Sequence, residues 1–237
     1  MPEITVKGKF GGTFKAYAAR PQTPPPGVKN MPGIVLIQEI FGVNDVMRRL
    51  ADDFAKQGYI VLCPDLFWRI KPGIVITDKT QQEWDLAFSL FQRFDQNKGV
   101  EDLSSTMDEL RRTPGCSGKV GAVGYCLGGK LAYMMATRTT IDCAVGFYPV
   151  ALDAALNEAS KIKKPVMLHI AEEDQFVPHD VQDKIVNNLG KNPLVTLHRY
   201  AGMNHAFARE GGKHFNADNA RVANKRTAEF IANNLYA

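Results

Sequence analysis

The chain has 237 residues and a formal net charge of +4, with 45% hydrophobic and 23% charged residues. That balance suits an ordinary soluble globular protein with one large core and excludes a wholly disordered chain. Lysines and arginines are scattered and no nucleic-acid motif is present, which argues against a nucleic-acid partner and leaves only a weak preference for anions.

The first residues, M-P-E-I-T-V-K-G-K-F, carry charge where a signal peptide needs an apolar stretch, and no later apolar run is long enough to cross a bilayer. A cytoplasmic protein without membrane contact is expected. Next, T-F-K-A-Y-A-A at 13–19 alternates like a half-exposed strand, whereas G-I-V-L-I-Q-E-I at 33–40 is the continuous apolar run of a strand buried on both faces. The proline-rich segment between them, R-P-Q-T-P-P-P-G-V-K-N-M-P-G, reads as a stiff surface loop. Met47, Leu50, Ala51 and Phe54 then fall at helical spacing with Gly58 as a stop, and a strand Y-I-V-L-C at 59–63 follows.

Two amphipathic helices, near 80–93 and 100–112, precede the strand K-V-G-A-V-G-Y at 119–125. After it come a helix from Leu127, a strand at 142–148, a short helical piece, a strand at 165–170, a helix after Pro178, a strand at 194–200 and a C-terminal helix. Strand and helix alternating in this way predict a single α/β domain over 1–237, a mostly parallel sheet with helices on both faces. In such sheets chemistry gathers in the loops beyond the carboxyl ends of the strands.

One of those loops holds G-Y-C-L-G, Gly124 to Gly128, where a buried strand runs directly into a helix. The pattern is a nucleophile elbow with sulfur in place of oxygen; the glycines remove Cβ atoms that would clash in so sharp a turn. It would lift the Cys126 thiol above the sheet at a helix N-terminus, where the dipole favours a thiolate and the Leu127 N–H can bind an oxyanion. Taken alone, the motif also fits a buried core cysteine after a glycine turn. Cys63, Cys116 and Cys143 read as small core or loop residues, and without C-x-x-C spacing the four cysteines indicate neither a zinc site nor a disulfide framework.

A nucleophile on this architecture needs an acid and then a histidine, each just past a later strand. His205 stands in a loop beyond the last strand, whereas His169 and His198 fall inside strands, His179 opens a helix and His214 lies in a polar segment. For the acid, Glu172, Glu173 and Asp174 are adjacent; Asp174 is preferred as the farthest past its strand, and Glu173 stays open. Asp174 would hold the imidazole tautomer, His205 would shuttle the proton and Cys126 would form an acyl-thioester. No metal or organic cofactor is implied by this chemistry.

With these residues in place, the sequence resembles the dienelactone hydrolases (carboxymethylenebutenolidases) of the α/β-hydrolase superfamily. The resemblance rests on Q-E-I-F-G at 38–42, C-P-D-L-F at 63–67, G-Y-C-L-G-G at 124–129, A-E-E-D-Q-F-V-P at 171–178 and N-H-A-F at 204–207. It implies an α/β-hydrolase fold, a Cys126-His205-Asp174 triad and hydrolysis of a small-molecule ester or lactone by a monomer or small homo-oligomer. It further implies that Glu39 contacts the resting thiol and helps activate it when substrate binds, and that the Ile40 N–H is a second oxyanion donor. Of the two arginines with which this family holds a substrate carboxylate, Arg209 matches one; Trp84 stands at the position of the other, so half of a bidentate anion clamp is replaced by an aromatic group. Tyr148, at a strand end, is a further candidate for the pocket wall. A generalist carboxylesterase with promiscuous phosphotriester hydrolysis and a non-catalytic ligand-binding relative are the alternatives.

Overall fold

The computed structural model describes residues 3–236, and these divide into two compact units, 3–121 and 122–236. In the first unit the strands are β1 (Glu3–Lys7), β2 (Thr13–Ala19), β3 (Met31–Ile37) and β4 (Ile60–Pro64), in the spatial order β1-β2-β4-β3. β1 pairs antiparallel with β2 and β2 antiparallel with β4, while β3 and β4 are parallel. Every residue of β3 and β4 is buried, as expected for strands covered on both faces.

Helix α1 (Asp45–Lys56) starts where Asn44 accepts a hydrogen bond from the Met47 N–H, and it buries Met47, Ala51, Phe54 and Ala55 along one stripe. The chain leaves the helix through Gly58 at φ 103°, a conformation that glycine adopts without strain. Helix α2 (Gln81–Arg93) opens with a reciprocal cap: the Glu83 N–H donates to Thr80 Oγ1 at 3.2 Å and Thr80 Oγ1 donates to the Glu83 carboxylate at 2.9 Å. Helix α3 (Gln96–Arg112) begins four residues before the sequence expectation, because Asp95 caps it by accepting from the Asn97 and Lys98 N–H groups. The Phe94 ring occupies the space that a side chain at Gly99 would need, 2.4 Å from an ideal Cβ.

Strand β5 (Cys116–Tyr125) runs from the first unit into the second. The second unit continues with α4 (Leu127–Arg138), β6 (Cys143–Phe147), a 3₁₀ segment (Leu152–Lys161), β7 (Val166–Ala171), α5 (His179–Leu189), β8 (Val195–Tyr200) and α6 (Ala217–Leu235). Its strands lie in the order β5-β6-β7-β8, with β6, β7 and β8 parallel in register. α4 is buried on all sides from Leu127 to Thr137, which matches its nearly uninterrupted apolar sequence.

Two expectations need correction. β1 was not legible as a strand, although Ile4 and Val6 alternate with polar neighbours in it. β3 covers 31–37 instead of 33–40: it starts inside the proline-rich stretch, where Pro32 precedes Gly33, the first residue in register with β4, and it releases the chain at Gln38. There the Gln38 side chain accepts from the Leu66 N–H and donates to the Glu39 carbonyl, fixing a loop instead of a ladder. Among the described residues no helix is long and apolar enough to cross a membrane.

Candidate active site

β5 ends at Tyr125 and α4 begins at Leu127, so Cys126 alone makes the turn, with φ 56° and ψ −117°. Such a conformation is strained for any residue with a Cβ and persists only when its surroundings fix it. The Cys126 N–H donates to the Phe147 carbonyl at 3.0 Å, and the Cys126 carbonyl accepts from the Gly129 N–H at 3.0 Å. Glycines make this crowding feasible: a Cβ on Gly124 would sit 1.9 Å from the Gly128 carbonyl oxygen, and one on Gly129 would sit 2.6 Å from the Phe147 oxygen. Leu127 supplies a backbone N–H in the first turn of α4, where a helix has no intrahelical acceptors for its donors.

β7 ends at Ala171 and β8 at Tyr200, and the loops beyond them bring the acid and the histidine together. His205 Nδ1 lies 2.8 Å from Asp174 Oδ2, and His205 is also hydrogen-bonded to the Cys126 side chain. All three side chains are buried. Burial is the largest influence on His205 and disfavours its imidazolium form; the negative charge of the Cys126 sulfur, together with the hydrogen bonds to Asp174 and Cys126, outweighs it and pushes the histidine up to about 10.

Glu173, the other candidate acid, is turned to solvent and lies 3.9 Å from His179 Nε2, while Glu172 pairs with Arg199 at 2.8 Å. Asp174 is instead held by its own turn, its Oδ1 accepting from the Phe176 N–H at 2.9 Å. Two residues that the sequence did not single out complete the support. Asn204 Oδ1 accepts from the His205 N–H at 2.6 Å and from the Gln175 N–H at 3.1 Å, tying the histidine loop to the acid loop. The Phe176 ring packs edge-on to His205 at 4.9 Å.

Tyr148 is buried at φ 37° with its ring 5.0 Å from that of His205, so it borders that imidazole as Phe176 does. Arg209 is half-buried in the loop after His205 and folds its guanidinium over Gly212, whose ideal Cβ would lie 2.9 Å from Nε. In the first unit, Glu39 and Ile40 are buried just past β3. Trp84, also in that unit, donates its indole N–H to the Asp78 carbonyl at 2.9 Å, stacks on Phe88 and meets Phe41 edge-on. Of the five histidines it is His205 that meets Asp174, and among the described residues no group of three His, Cys, Asp or Glu side chains is arranged to hold a metal ion.

The model of the dienelactone hydrolase family matches residues 14–235. A relative from Azospirillum brasilense is 46% identical over 236 residues, covering 99% of this chain and 100% of its own. The carboxymethylenebutenolidase of Pseudomonas putida is 38% identical over 229 residues, covering 97% of this chain and 95% of its own. The solved α/β hydrolase GrgF from Penicillium sp. sh18 aligns with a TM-score of 0.75 at 13% identity, over 100% of this chain and 99% of that one, a likeness of fold. With its elbow, its strand order and a family match over nearly its whole length, this chain of α/β-hydrolase fold belongs to the dienelactone hydrolase family.

Proposed function

We propose that the protein hydrolyses a small carboxylic ester or lactone through Cys126, His205 and Asp174. The observation that carries this reading is the hydrogen-bonded line from Asp174 through His205 to a cysteine held at φ 56° on a helix N-terminus. The Cys126 sulfur attacks the carbonyl carbon, and the developing oxyanion is met by the Leu127 N–H and, on the family resemblance, by the Ile40 N–H. Donors of this kind contribute on the order of 3 kcal/mol each to the transition state. As the tetrahedral intermediate collapses, the carbon–oxygen bond breaks and His205 gives its proton to the leaving alkoxide, leaving an acyl-thioester. Water then attacks the thioester as His205 takes its proton; the carboxylic acid departs and the thiolate–imidazolium pair is restored. Asp174 holds the imidazole by its Nδ1–H and stabilises the imidazolium.

On the family resemblance, Glu39 is assigned to holding the sulfur as a neutral thiol between turnovers, the thiolate–imidazolium pair forming when substrate binds, because a standing free thiolate would be consumed by oxidants and alkylating agents. Arg209 is assigned to a substrate carboxylate. On the family resemblance, Trp84 stands in place of a second arginine and favours a more apolar acyl or alcohol group, which supports a broader ester range alongside the lactone; Tyr148, whose ring borders His205, is assigned to the substrate site. Incubation with a nitrophenyl ester followed by rapid acid quench and mass analysis tests the chemistry. The expected result is a transient acyl adduct on the peptide bearing Cys126; turnover without any such adduct would refute the covalent route. Trp84→Arg is expected to raise kcat/KM for carboxylate-bearing lactones relative to neutral esters, and an unchanged ratio would remove Trp84 from the substrate site.

A further inference from the structure

Beneath the triad, the second unit contains a polar chain that none of the proposed chemistry uses. His169 on β7 is fully buried, with Nδ1 2.8 Å from the Tyr200 hydroxyl on β8 and Nε2 2.9 Å from Thr227 Oγ1 on α6. Arg226 Nη1 donates to that same hydroxyl at 3.2 Å. The Tyr200 oxygen accepts from Arg226, and a neutral His169 ring accepts at one nitrogen and donates at the other; with the Tyr200 proton assigned to Nδ1, the ring proton sits on Nε2 and points to Thr227. With that assignment Arg226, Tyr200, His169 and Thr227 form one line of donors and acceptors across three elements, and buried networks of this kind fix side-chain arrangements.

The line touches both halves of the triad. The His169 ring lies 4.3 Å from that of Phe147, whose carbonyl accepts the Cys126 N–H, and the His169 carbonyl accepts the Tyr148 N–H at 2.7 Å. On the other side, the Tyr200 ring packs on Phe207 at 4.7 Å; Phe207 follows His205 by two residues and meets Tyr148, which is edge-on to His205. We propose that His169 is a positioning residue, setting the relation of the Cys126 sulfur to the His205 imidazole through Phe147 on one side and Tyr200 on the other. This deepens the functional reading above and rests on it. The charged or titratable groups that face His169 are His198, stacked on it from β8 at 5.7 Å, Tyr200, and Arg226 of α6; burial first, then the charges of His198 and Arg226, push it well below its ordinary range.

The test compares His169→Phe, which keeps a ring against Phe147 but removes both hydrogen bonds, with His169→Asn, which can still offer an oxygen to the Tyr200 hydroxyl. Three quantities are read: kcat and KM on a neutral nitrophenyl ester, the pH midpoint of Cys126 alkylation by iodoacetamide, and the melting temperature. His169→Phe is expected to lower kcat by about tenfold or more at unchanged KM, the scale on which small misplacements of reacting groups act. It is also expected to raise the alkylation midpoint, because a displaced imidazolium stabilises the thiolate less, and His169→Asn is expected to recover part of both. A folded His169→Phe protein with wild-type kcat and an unmoved midpoint would reduce His169 to core packing and overturn the proposal. Should His169→Phe not fold, Tyr200→Phe removes the partner of Nδ1 together with the acceptor of Arg226, keeps the Thr227 contact of Nε2, and is judged by the same criteria. If the wild-type protein turns over no ester, the functional reading falls, whereas the alkylation midpoint still decides the positioning role.

Discussion

Asp174 Oδ2 stands 2.8 Å from His205 Nδ1, with the two side chains only 2% and 6% exposed. A buried carboxylate is tolerated there because each of its oxygens is used: one receives the imidazole N–H and the other the Phe176 N–H. This contact selects Asp174 from three consecutive acids. Asp174→Asn is expected to lower kcat by about three orders of magnitude or more, since the amide favours the wrong imidazole tautomer. Glu173→Gln should leave kcat unchanged, and steady-state kinetics showing equal losses for the two variants would contradict the assignment.

His205 is pushed up to about 10 while its sulfur partner is charged, burial alone acting in the opposite direction. A proton held that firmly remains available to a leaving alkoxide through neutral and mildly alkaline pH. Single-turnover acylation by an unactivated alkyl ester should therefore stay level up to about pH 10 and decline above it. The stability consequence has the same sign: a raised value in the folded state contributes stability in full below the ordinary histidine range near ~6.5, and that contribution is lost as pH rises through about 10. The difference in melting temperature between wild type and His205→Gln should shrink across that window; a difference that grows with pH would show the coupling to be wrong.

Gly124 carries the turn sterically, with its ideal Cβ 1.9 Å from a backbone oxygen that no rotamer change can move. Gly124→Ala should cost about 3 kcal/mol or more of stability and abolish activity, although Cys126 itself is untouched. Denaturant unfolding at equilibrium measures the first and ester turnover the second; an unchanged midpoint with full activity would mean that the elbow relaxes freely.

Much of this site could be read from residue types and order. β2 at 13–19 was visible in its alternation, and the Gly124-Tyr125-Cys126-Leu127-Gly128 stretch announced a turn because only glycine leaves room at such an approach. His205 was separable from the other histidines by its place after the last strand. Other features leave no local trace. Ala206 takes φ 62° beside His205 without a glycine to mark it, and Asn204 bridges two loops that lie far apart in sequence. The line through His169 depends on β7, β8 and α6 meeting in space, so the sequence offered only a histidine within a strand. β1 and the true limits of β3 escaped because pairing, more than apolar content, decides where a strand starts and stops.

The most direct measurement is the steady-state hydrolysis of a neutral short-chain nitrophenyl ester and of a carboxylate-bearing dienelactone by wild-type protein and by Cys126→Ala, with melting temperatures recorded for both. The account predicts turnover of at least one substrate by the wild type and none above background by a Cys126→Ala protein that remains folded. A folded Cys126→Ala protein that keeps the wild-type rate would contradict it.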